Sequence, residues 1–360
     1  MLTPCFSVHY PTAKKNADAA INYARTMGVS LRPHVKTHKT VELAMLQHEG
    51  KKDKITVSTL SEARFYSEHG FKDIFYAVPF IHTKLPLLES LSPETTFHIS
   101  VDQPGQLDQI LKHITQPLNI FLEVDSGGIR SGKASDAEVF VRMAEEISRH
   151  KLTRLSGVFT HGGHSYSARN APDAKPALLD EIRSVSIVAQ KLRKAGFEVP
   201  EVSIGSTPGL FHDVDYEEVT EIRPGNYIFY DLTQSDIGSC SEDSISVTIT
   251  ASVLGIYPEK NQLIIDAGAL AMSKDRGATH LRDKITYGDI IGYPELSFSR
   301  LSQEHGVIEL NSVPPKTFNV GDTLRILPNH SCLTAACFPF YVMEDAPEDW
   351  AVRIEPCRGW

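Results

Sequence analysis

The sequence predicts a (β/α)8 TIM-like barrel followed by a C-terminal β-rich domain, and two observations carry this prediction. Through the first two thirds of the chain, apolar strand-like runs alternate with helical periodicity, giving eight units in about 220 residues. After about Cys240 the pattern changes to period-two alternation rich in β-branched residues, as in residues 244–254. An open doubly wound sheet is the alternative, but the Gly-rich fingerprint usual after its first strand is absent. We expect residues 11–238 to form the barrel, and residues 239–360 with 1–10 to form the β domain.

The elements of the predicted barrel follow in order along the chain. The first helix is capped by Thr12 and ended by Gly28. The run at 118–124 is almost continuously apolar, as suits a strand buried on both faces. Helices are expected at 12–27, 41–48, 61–69, 84–91, 104–114, 137–150 and 176–195, with a helical turn at 208–212. Barrel strands are expected around Lys36 and at 55–60, 73–79, 97–102, 118–125, 155–161, 201–206 and 221–230. In the second domain, strands are expected at 244–254, 263–266, 307–310, 323–327 and 350–354.

Composition excludes several classes of function. The 360 residues are 41% hydrophobic and 22% charged, which is ordinary for a globular protein. The net charge of −9 shows no nucleic-acid footprint. The five cysteines are scattered and odd in number, which favours a reducing compartment, and we expect a cytoplasmic protein. We see neither a signal peptide nor an apolar run of about 18 residues that would cross a membrane.

The segment LRPHVKTHKT, residues 31–40, is the most informative in the chain. Interpreted as a strand, it aims Arg32, His34 and Lys36 to one face. Burying three basic groups is costly unless an anion or an acidic partner meets them, and an anionic cofactor would remove that cost. A desolvated lysine beside other cations also loses its proton easily and can attack a carbonyl. The alternative is a basic edge strand in water.

Two loops are expected to bind a phosphate group. In such barrels, phosphate sites often use the loops after strands seven and eight. These loops carry Ser206 and Thr207, whose hydroxyls can donate, and Gly225 and Asn226, whose N–H groups can approach an anion. Two ordinary Gly/Pro turns are the alternative.

Other ionisable residues follow the strands that end near 125 and 161. Arg130 lies in a glycine-rich loop from which it can reach a ligand oxygen. His161 is placed to lie against a flat ring, and Tyr166 to reach a substrate carboxylate. A structural, hydrogen-bonded histidine is the alternative for His161.

The β-rich region contains a possible metal site at His330 and Cys332. Two residues apart in an extended segment, they face the same side and can grip one ion through an imidazole nitrogen and a thiolate. A sulfur and nitrogen set favours zinc. Two ligands are fewer than a structural zinc site needs, so water, substrate or a third residue would complete the shell.

Six segments, spread over nearly the whole chain, resemble the D-threonine aldolase and D-serine dehydratase family and follow the same order as in that family. The family is related to alanine racemase. The segments are Arg32–Lys39, Val124–Arg130, His161–Tyr166, Gly205–Pro208, Arg223–Tyr227 and Asn329–Cys332. The resemblance implies a pyridoxal-phosphate barrel with a β domain, assembled as a homodimer.

The same resemblance implies a role for each site residue. Lys36 would bind the cofactor aldehyde, Arg130 would lie near its phenolate oxygen, and His161 against its pyridine ring. The phosphate would be held by Ser206, Thr207, Gly225 and Asn226. A divalent metal would bind His330 and Cys332; family aldolases tend to have aspartate at the second position, so the cysteine resembles the zinc-dependent dehydratases.

The expected activity is therefore pyridoxal-phosphate- and zinc-dependent β-elimination of D-serine, or a related β-hydroxy-D-amino acid, to a keto acid and ammonia. Lys36 would remove the α-proton, and the metal would help the β-hydroxyl to leave. Alternatives are retro-aldol cleavage to glycine and an aldehyde, a 3-hydroxyaspartate dehydratase, an amino-acid racemase and a non-enzymatic pyridoxal-phosphate carrier. Without the resemblance, a phosphosugar enzyme is the next candidate. The sequence leaves open the partner of the pyridine nitrogen, the third metal ligand and the residues that cross the dimer interface, for which 269–274 are candidates.

Overall fold

Eight parallel strands form one sheet of this computed structural model, which describes residues 2–128, 130–282 and 286–360. They are β2 (Ser30–Leu31), β3 (Ile55–Val57), β4 (Asp73–Pro79), β5 (Thr96–Val101), β6 (Leu118–Asp125), β8 (Thr153–Phe159), β9 (Glu201–Ile204) and β10 (Glu221–Ile222). Their order is β2-β10-β9-β8-β6-β5-β4-β3, and β7 (Lys133–Ala134) pairs with β6 alone. A parallel bridge between His34 and Thr56 joins the two ends, so the sheet closes on itself and the predicted barrel is confirmed.

Helices alternate with these strands as the sequence predicts, with three local differences. They are α1 (Tyr10–Thr26), α2 (Val41–Leu46), α3 (Leu60–Glu68), α4 (Pro104–His113), α5 (Val139–Arg149) and α6 (Ala171–Lys194). The stretch His82–Ser90 is a 3-10 helix instead of an α-helix, since Pro86 inside it cannot donate a backbone hydrogen bond. Helix α6 begins before the predicted residue 176, because the Asn170 side chain accepts a hydrogen bond from the Asp173 N–H and caps it. The predicted helical turn at 208–212 is a non-helical turn.

A second, mixed sheet contains the N-terminal strand and the strands of the C-terminal third. They are β1 (Cys5–His9), β11 (Val247–Tyr257), β12 (Gln262–Ile265), β13 (Gly288–Ile290), β14 (Ser297–Leu301), β15 (Gly306–Glu309), β16 (Thr323–Pro328), β17 (Tyr341–Glu344) and β18 (Arg353–Ile354). Its order is β14-β15-β12-β11-β1-β17-β18, with β16 paired to β11 and β13. The short helices α7 (Leu232–Asp236), α8 (Ala269–Met272) and α9 (Ser331–Ala335) accompany it. The predicted β-rich region is confirmed as a fold class.

The chain divides into two compact units. One contains residues up to Ala17 together with Asn226–Pro356, and the other contains Asp18–Gly225 and Cys357–Trp360. The predicted domain boundaries after residues 10 and 238 stay a prediction. Among the described residues, every helix is too short or too polar to traverse a lipid bilayer.

Aromatic rings fill the middle of the barrel. Phe75 on β4, Phe121 on β6 and Phe159 on β8 are all at most 1% exposed. The rings of Phe75 and Phe121 have centroids 4.4 Å apart, and Phe159 packs edge-on to Phe75 at 4.9 Å. The inward positions of parallel strands thus form a packed interior, as the barrel fold requires.

A buried ion cluster lies beside these rings and is centred on Arg32, whose side chain is fully buried. Its Nε donates to the Glu221 carboxylate at 2.8 Å, and its Nη1 donates to Asp73. Glu221 also accepts from Lys54 at 3.1 Å and from the Ser203 hydroxyl at 2.7 Å. Burial acts to lower the pKa of Arg32, but the charges of Glu221 and Asp73 raise it overall. The cluster therefore stays charged and joins β10 and β4 to the residue after β2.

We predict that Arg32→Ala destabilises the protein strongly, because Glu221 would keep a buried charge with a weakened set of partners. The free energy of unfolding in urea should fall by about 3–5 kcal/mol. Arg25→Ala is the matched control, since Arg25 pairs with Glu49 at the surface, and should cost less than about 1 kcal/mol. Equal losses in the two variants would contradict a structural role for the buried cluster.

Candidate active site

Lys36 lies on a 3-10 turn, Val35–Thr37, and the prediction that this segment continues as a strand is wrong. The backbone is extended through His34, where the bridge to Thr56 closes the barrel, and then turns. The strand alternation that was expected to aim Arg32, His34 and Lys36 to one face therefore does not extend to Lys36. Arg32 points into the barrel interior toward its acidic partners, whereas Lys36 is half-buried on the turn. The strand ends at the bridge of residue 34, and the turn that follows is where the expected alternation stops.

His38 fixes the far side of this turn, and the sequence analysis did not identify it. Its Nδ1 accepts the Thr40 N–H at 3.1 Å, so the ring proton is on Nε2, which lies 3.0 Å from the Gln47 side-chain oxygen. The ring is fully buried, and burial lowers its pKa from 6.5 to about 4. His38 is thus a neutral imidazole that holds the chain immediately after Lys36.

The loop after β10 packs directly against the lysine turn. The His34 N–H donates to the Pro224 carbonyl at 2.9 Å. A Cβ on Gly225 would stand 2.9 Å from the His34 carbonyl oxygen, so a side chain there would push the two segments apart. Only a glycine lets this loop approach so closely, and the approach brings the predicted phosphate-binding position Gly225 next to the segment of Lys36.

The turn after β9 carries the two hydroxyl groups that are predicted to bind phosphate. Ser206 and Thr207 are 5% and 2% exposed. The Thr207 hydroxyl has no hydrogen-bond partner among the residues that the structure describes. A buried hydroxyl without a partner is costly, and an anionic oxygen of a bound phosphate would satisfy it. These residues therefore fit a phosphate group, as the sequence predicts.

His161 lies at the end of β8 in a single tautomer. Its Nδ1 donates to the Gly205 carbonyl at 2.7 Å, because a carbonyl can only accept. Burial, together with the positive charges of Lys36, Arg130 and Arg223, lowers its pKa to about 3. His161 is therefore a neutral, flat imidazole in the electrostatic field of three cations.

The same cations act on His34, whose pKa burial lowers well below its usual value, with Lys36, Arg223, His161 and Arg130 adding to the effect. The structure thus brings Lys36, Arg130 and His161 within electrostatic reach of one another. Such a concentration of positive charge beside neutral imidazoles favours an anionic ligand.

The loop of Arg130 is held by carboxylates, while Arg130 itself is exposed. The Asp125 Oδ1 accepts the N–H groups of Gly127 at 3.0 Å and Gly128 at 2.6 Å. Asp102 accepts the Gly132 N–H at 3.0 Å. A cavity of about 80 Å³ lies between this loop and the end of β8, and Arg130 and His161 are among its lining residues.

Tyr166 lies in a 3-10 turn, Gly163–Ser167, that follows His161. Its side chain is half-buried. Gly127, in the neighbouring loop, packs so closely on the His164 ring that a Cβ would overlap it. The turn that carries Tyr166 is therefore fixed against the loop that carries Arg130, and the predicted contact of Tyr166 with a substrate carboxylate stays a prediction.

Arg223 is a site residue that the sequence analysis identified only as part of a turn. It is 4% exposed, and its guanidinium lies over the rings of Phe75 and Phe159 at 5.7 and 5.1 Å. Its Nε donates to the Ser203 hydroxyl at 2.8 Å, and its Nη2 donates to the Thr160 carbonyl. Burial lowers its pKa to about 10, which still leaves it charged near neutral pH.

The two predicted metal ligands lie in the other compact unit, where Asp275 joins them. The His330 Nδ1 is 3.2 Å from the Asp275 carboxylate. Burial acts to lower the pKa of His330, but hydrogen bonds with Asp275 and Cys332 raise it to about 11. His330 thus holds a proton between a carboxylate and a sulfur.

Buried side chains hold the segment of these ligands in place. Asp231 accepts the Ser331 N–H at 2.9 Å, and the Asn226 amide at 2.7 Å. The same Asn226 amide reaches Ser331 at 2.9 Å and the Cys332 sulfur at 3.5 Å. The Asn226 side-chain nitrogen is therefore committed to this segment, which leaves the backbone N–H as the donor for the predicted phosphate contact.

These donors fit a divalent ion bound by two protein groups. A histidine whose Nδ1–H is held by a carboxylate presents Nε2 to a metal, and a metal ion would replace the proton that His330 shares with its neighbours. No group of three or more His, Cys, Asp or Glu side chains within the described ranges is arranged to hold a metal by itself. Further positions on such an ion would fall to water or substrate.

Comparison with known proteins agrees with this geometry. The alanine racemase N-terminal domain family matches residues 8–233, and the putative serine dehydratase domain family matches residues 246–343. A D-serine dehydratase of Dictyostelium discoideum is 34% identical over 99% of this chain and 97% of its own length. The chain belongs to the serine dehydratase family of alanine racemase-type enzymes. The resemblance inferred from the six segments is confirmed.

Other members of this family are equally informative. A D-threo-3-hydroxyaspartate dehydratase of Delftia sp. (strain HT23) is 33% identical over 99% of this chain and 98% of its own length. A D-threo-3-hydroxyaspartate dehydratase is also known in structure as a His-to-Ala variant with TM-score 0.92 at 30% identity, covering 100% of this chain and 96% of that one. Its Cys-to-Ala variant in the metal-free form has TM-score 0.92 at 31% identity, covering 100% of this chain and 98% of that one.

Family membership confirms the coarser part of the functional prediction. The protein is an enzyme of the ammonia-lyase type, and its family supports pyridoxal-phosphate-dependent elimination from a D-amino acid. The metal, the individual substrate and the roles of single residues belong to the proposal below.

We predict that acid destabilises the wild-type protein through His38. Its pKa is about 4 when folded against 6.5 ordinarily, so the unfolded chain binds more protons between these values. The stabilisation from neutral His38 is therefore complete above pH 6.5 and is lost as the pH falls toward 4. In His38→Gln, urea unfolding should show a weaker pH dependence between about pH 7.5 and about pH 5. A variant with the wild-type slope would show that His38 is not buried in its neutral form.

Proposed function

We propose that the protein catalyses pyridoxal-phosphate- and zinc-dependent β-elimination of D-serine, or of a related β-hydroxy-D-amino acid, to a keto acid and ammonia. The observation that carries the proposal is the combination of Lys36, on a turn surrounded by neutral imidazoles and cations, with the sulfur and nitrogen donors Cys332 and His330. The surroundings of Lys36 suit an anionic cofactor that carries a carbonyl group. The donors of Cys332 and His330 suit a metal that assists departure of a hydroxyl.

Each residue of the barrel then has a stated task. Pyridoxal phosphate, when bound, delocalises the negative charge that develops at the substrate Cα. Lys36 would hold the cofactor through its amine and, once displaced by substrate, take the α-proton. His161 would offer a neutral ring face, which cannot donate a proton from Nε2 because its proton is on Nδ1. Ser206, Thr207 and the N–H groups of Gly225 and Asn226 would donate to the phosphate, and Arg130 to the phenolate oxygen.

The metal proposal rests on the donor set and on a relative. A zinc ion would act as a Lewis acid on the β-hydroxyl, which is otherwise a poor leaving group. His330 and Cys332 are two residues apart, and so are the histidine and the cysteine replaced in the two variants of the related dehydratase, one of which is described as metal-free. The same spacing supports His330 and Cys332 as the metal ligands here.

We also propose that the enzyme is a homodimer. Leu270 on α8 and Leu333 on α9 are 57% and 45% exposed. The two helices adjoin each other within one unit. Large exposed apolar side chains that lie close together are typical of an association surface. Tyr166 would contact the substrate carboxylate within each protomer.

Replacing Lys36 should abolish both cofactor attachment and activity. After borohydride reduction of the holoenzyme, mass spectrometry should find the cofactor on Lys36 in the wild type and nowhere in Lys36→Ala, which should also lose turnover. Lys51→Ala, at an exposed position, should retain both. A reduced adduct on another lysine of the wild-type protein would disprove the assignment.

Removing a metal ligand should suppress elimination while leaving cofactor binding nearly intact. Cys332→Ala, or treatment of the wild type with a chelator, should lower keto-acid formation by at least about a hundredfold, since the loss of Lewis-acid assistance raises the barrier by several kcal/mol. The exposed Cys337 provides the control, and Cys337→Ala should keep wild-type turnover and metal content. Chelator-resistant elimination would remove the metal from the mechanism.

The products distinguish this proposal from its alternatives. With D-serine, D-threonine, D-threo-3-hydroxyaspartate and their L-forms as substrates, a dehydratase gives a keto acid and ammonia, whereas an aldolase gives glycine and an aldehyde. The cysteine at position 332 favours dehydration. Preference for 3-hydroxyaspartate over serine would move the assignment to the second dehydratase named among the relatives.

A further inference from the structure

A buried carboxylate on helix α6 lies behind the two loops that the proposed function uses. Glu181 is fully buried, and its Oε1 accepts two backbone N–H groups, from Gly162 at 2.6 Å and from Gly205 at 3.1 Å. Gly162 follows His161, and Gly205 precedes Ser206. One oxygen atom therefore joins the loop of the ring-facing histidine to the turn of the phosphate-binding hydroxyls.

Further contacts show that this junction is built to a fixed spacing. The Ser165 hydroxyl donates to the Gly162 carbonyl at 2.6 Å and lies 3.1 Å from the Ser206 hydroxyl. His161 donates to the Gly205 carbonyl. The two loops are thus joined both directly and through the carboxylate, and none of these bonds involves solvent-exposed groups.

The glycine at position 162 is a second observation that the Glu181 carboxylate packs against this loop. Its φ of −77° is open to any residue, so backbone conformation does not require glycine there. A Cβ at this position, however, would stand 2.5 Å from the carboxyl carbon and from Oε2 of Glu181. The three atoms nearest to such a Cβ all belong to Glu181, so it is the side chain of Glu181 that leaves no room at position 162.

We propose that Glu181 is a positioning residue for the cofactor: by binding the N–H groups of Gly162 and Gly205 together, it sets the distance between the ring-facing His161 and the phosphate-binding turn at Ser206 and Thr207. This inference rests on the proposed function. Glu181 is fully buried and its carboxylate binds the backbones of both loops, so it would act on the cofactor through the residues that it holds.

The charge state of Glu181 guides the choice of variants. Burial raises its pKa to about 7, against the effect of the two N–H donors, so this carboxyl takes up a proton far more readily than an exposed glutamate does. A glutamine keeps an oxygen that can accept both N–H groups and has nearly the same shape. Glu181→Gln should therefore bind pyridoxal phosphate within about threefold of the wild type.

Glu181→Ala leaves both N–H groups without their acceptor and lets the loops move apart. Cofactor affinity, measured by absorbance titration of the apoenzyme, should fall by about ten- to hundredfold. Ile182→Ala is the control for simple loss of packing: Ile182 is the next residue on α6 and equally buried. It should lower the melting temperature while the folded protein keeps its cofactor affinity.

A double-mutant cycle tests the geometry directly. Gly162→Ala alone should weaken cofactor binding about as much as Glu181→Ala, since the new Cβ displaces the carboxylate. Added to Glu181→Ala, the same change should cost less than about threefold more, because the obstructing group is gone. This non-additivity is expected only if the two positions act through one contact.

Three results separate the possible failures. If wild-type protein takes up no cofactor on Lys36, the proposed function fails and the inference fails with it. If the wild type binds the cofactor but Glu181→Ala loses only thermal stability, as Ile182→Ala does, the positioning role is overturned and the proposed function stands. Fully additive losses in the Gly162 and Glu181 cycle would overturn it likewise.

Discussion

The buried pairing of Arg32 with Glu221 is the constraint on which the barrel and its site depend. Arg32 comes directly after the first barrel strand and Glu221 begins the last, and these two strands pair with each other. The pair therefore ties the first strand to the last, at a junction that we call the seam. The same carboxylate accepts from Ser203, whose hydroxyl oxygen in turn accepts from Arg223. A chain of charge-assisted bonds therefore runs from the seam to the guanidinium beside the aromatic core. Because an unpaired charge in this interior would be very costly, the bonds leave the strands little freedom in register.

The segment that carries Lys36 begins at this seam, and the seam therefore determines where the functional groups lie. Pro33 and His34 complete the closure against Thr56, and the chain then turns at Lys36. His38 anchors the exit of the turn and Gly225 packs on its entrance. The lysine is thus held from both sides by groups that carry no charge of their own. Cations are present at longer range, and this combination of a rigid turn and a positive field suits a phosphorylated ligand.

The sequence predicted the fold class and the family, since these depend on local pattern and on short characteristic segments, whereas the roles of the site residues stay a prediction. It failed where a contact joins distant residues. The strand assigned to Lys36 ends at the bridge to Thr56 and a 3-10 turn follows, which no pattern within residues 31–40 reveals. Arg32 carries the same charge as its neighbours in the segment, yet it is buried in an ion pair. Its partner Glu221 is 189 residues away, so the segment alone does not reveal the pair. Glu181 and Asp275 were missed for the same reason: a glutamate on a long helix and an aspartate after a short one look like ordinary surface residues until their partners at Gly162 and His330 are known.

The close packing of the Glu181 carboxyl on the Gly162 backbone has an evolutionary consequence. Neither position can be substituted freely by itself. A side chain at 162 has no room while Glu181 is present, and loss of Glu181 leaves two backbone N–H groups without their acceptor. Descendants of this enzyme that acquire alanine or serine at the loop position should also carry a shorter residue at the helix position. The two positions should therefore be inherited as a unit, even though 19 residues separate them along the chain.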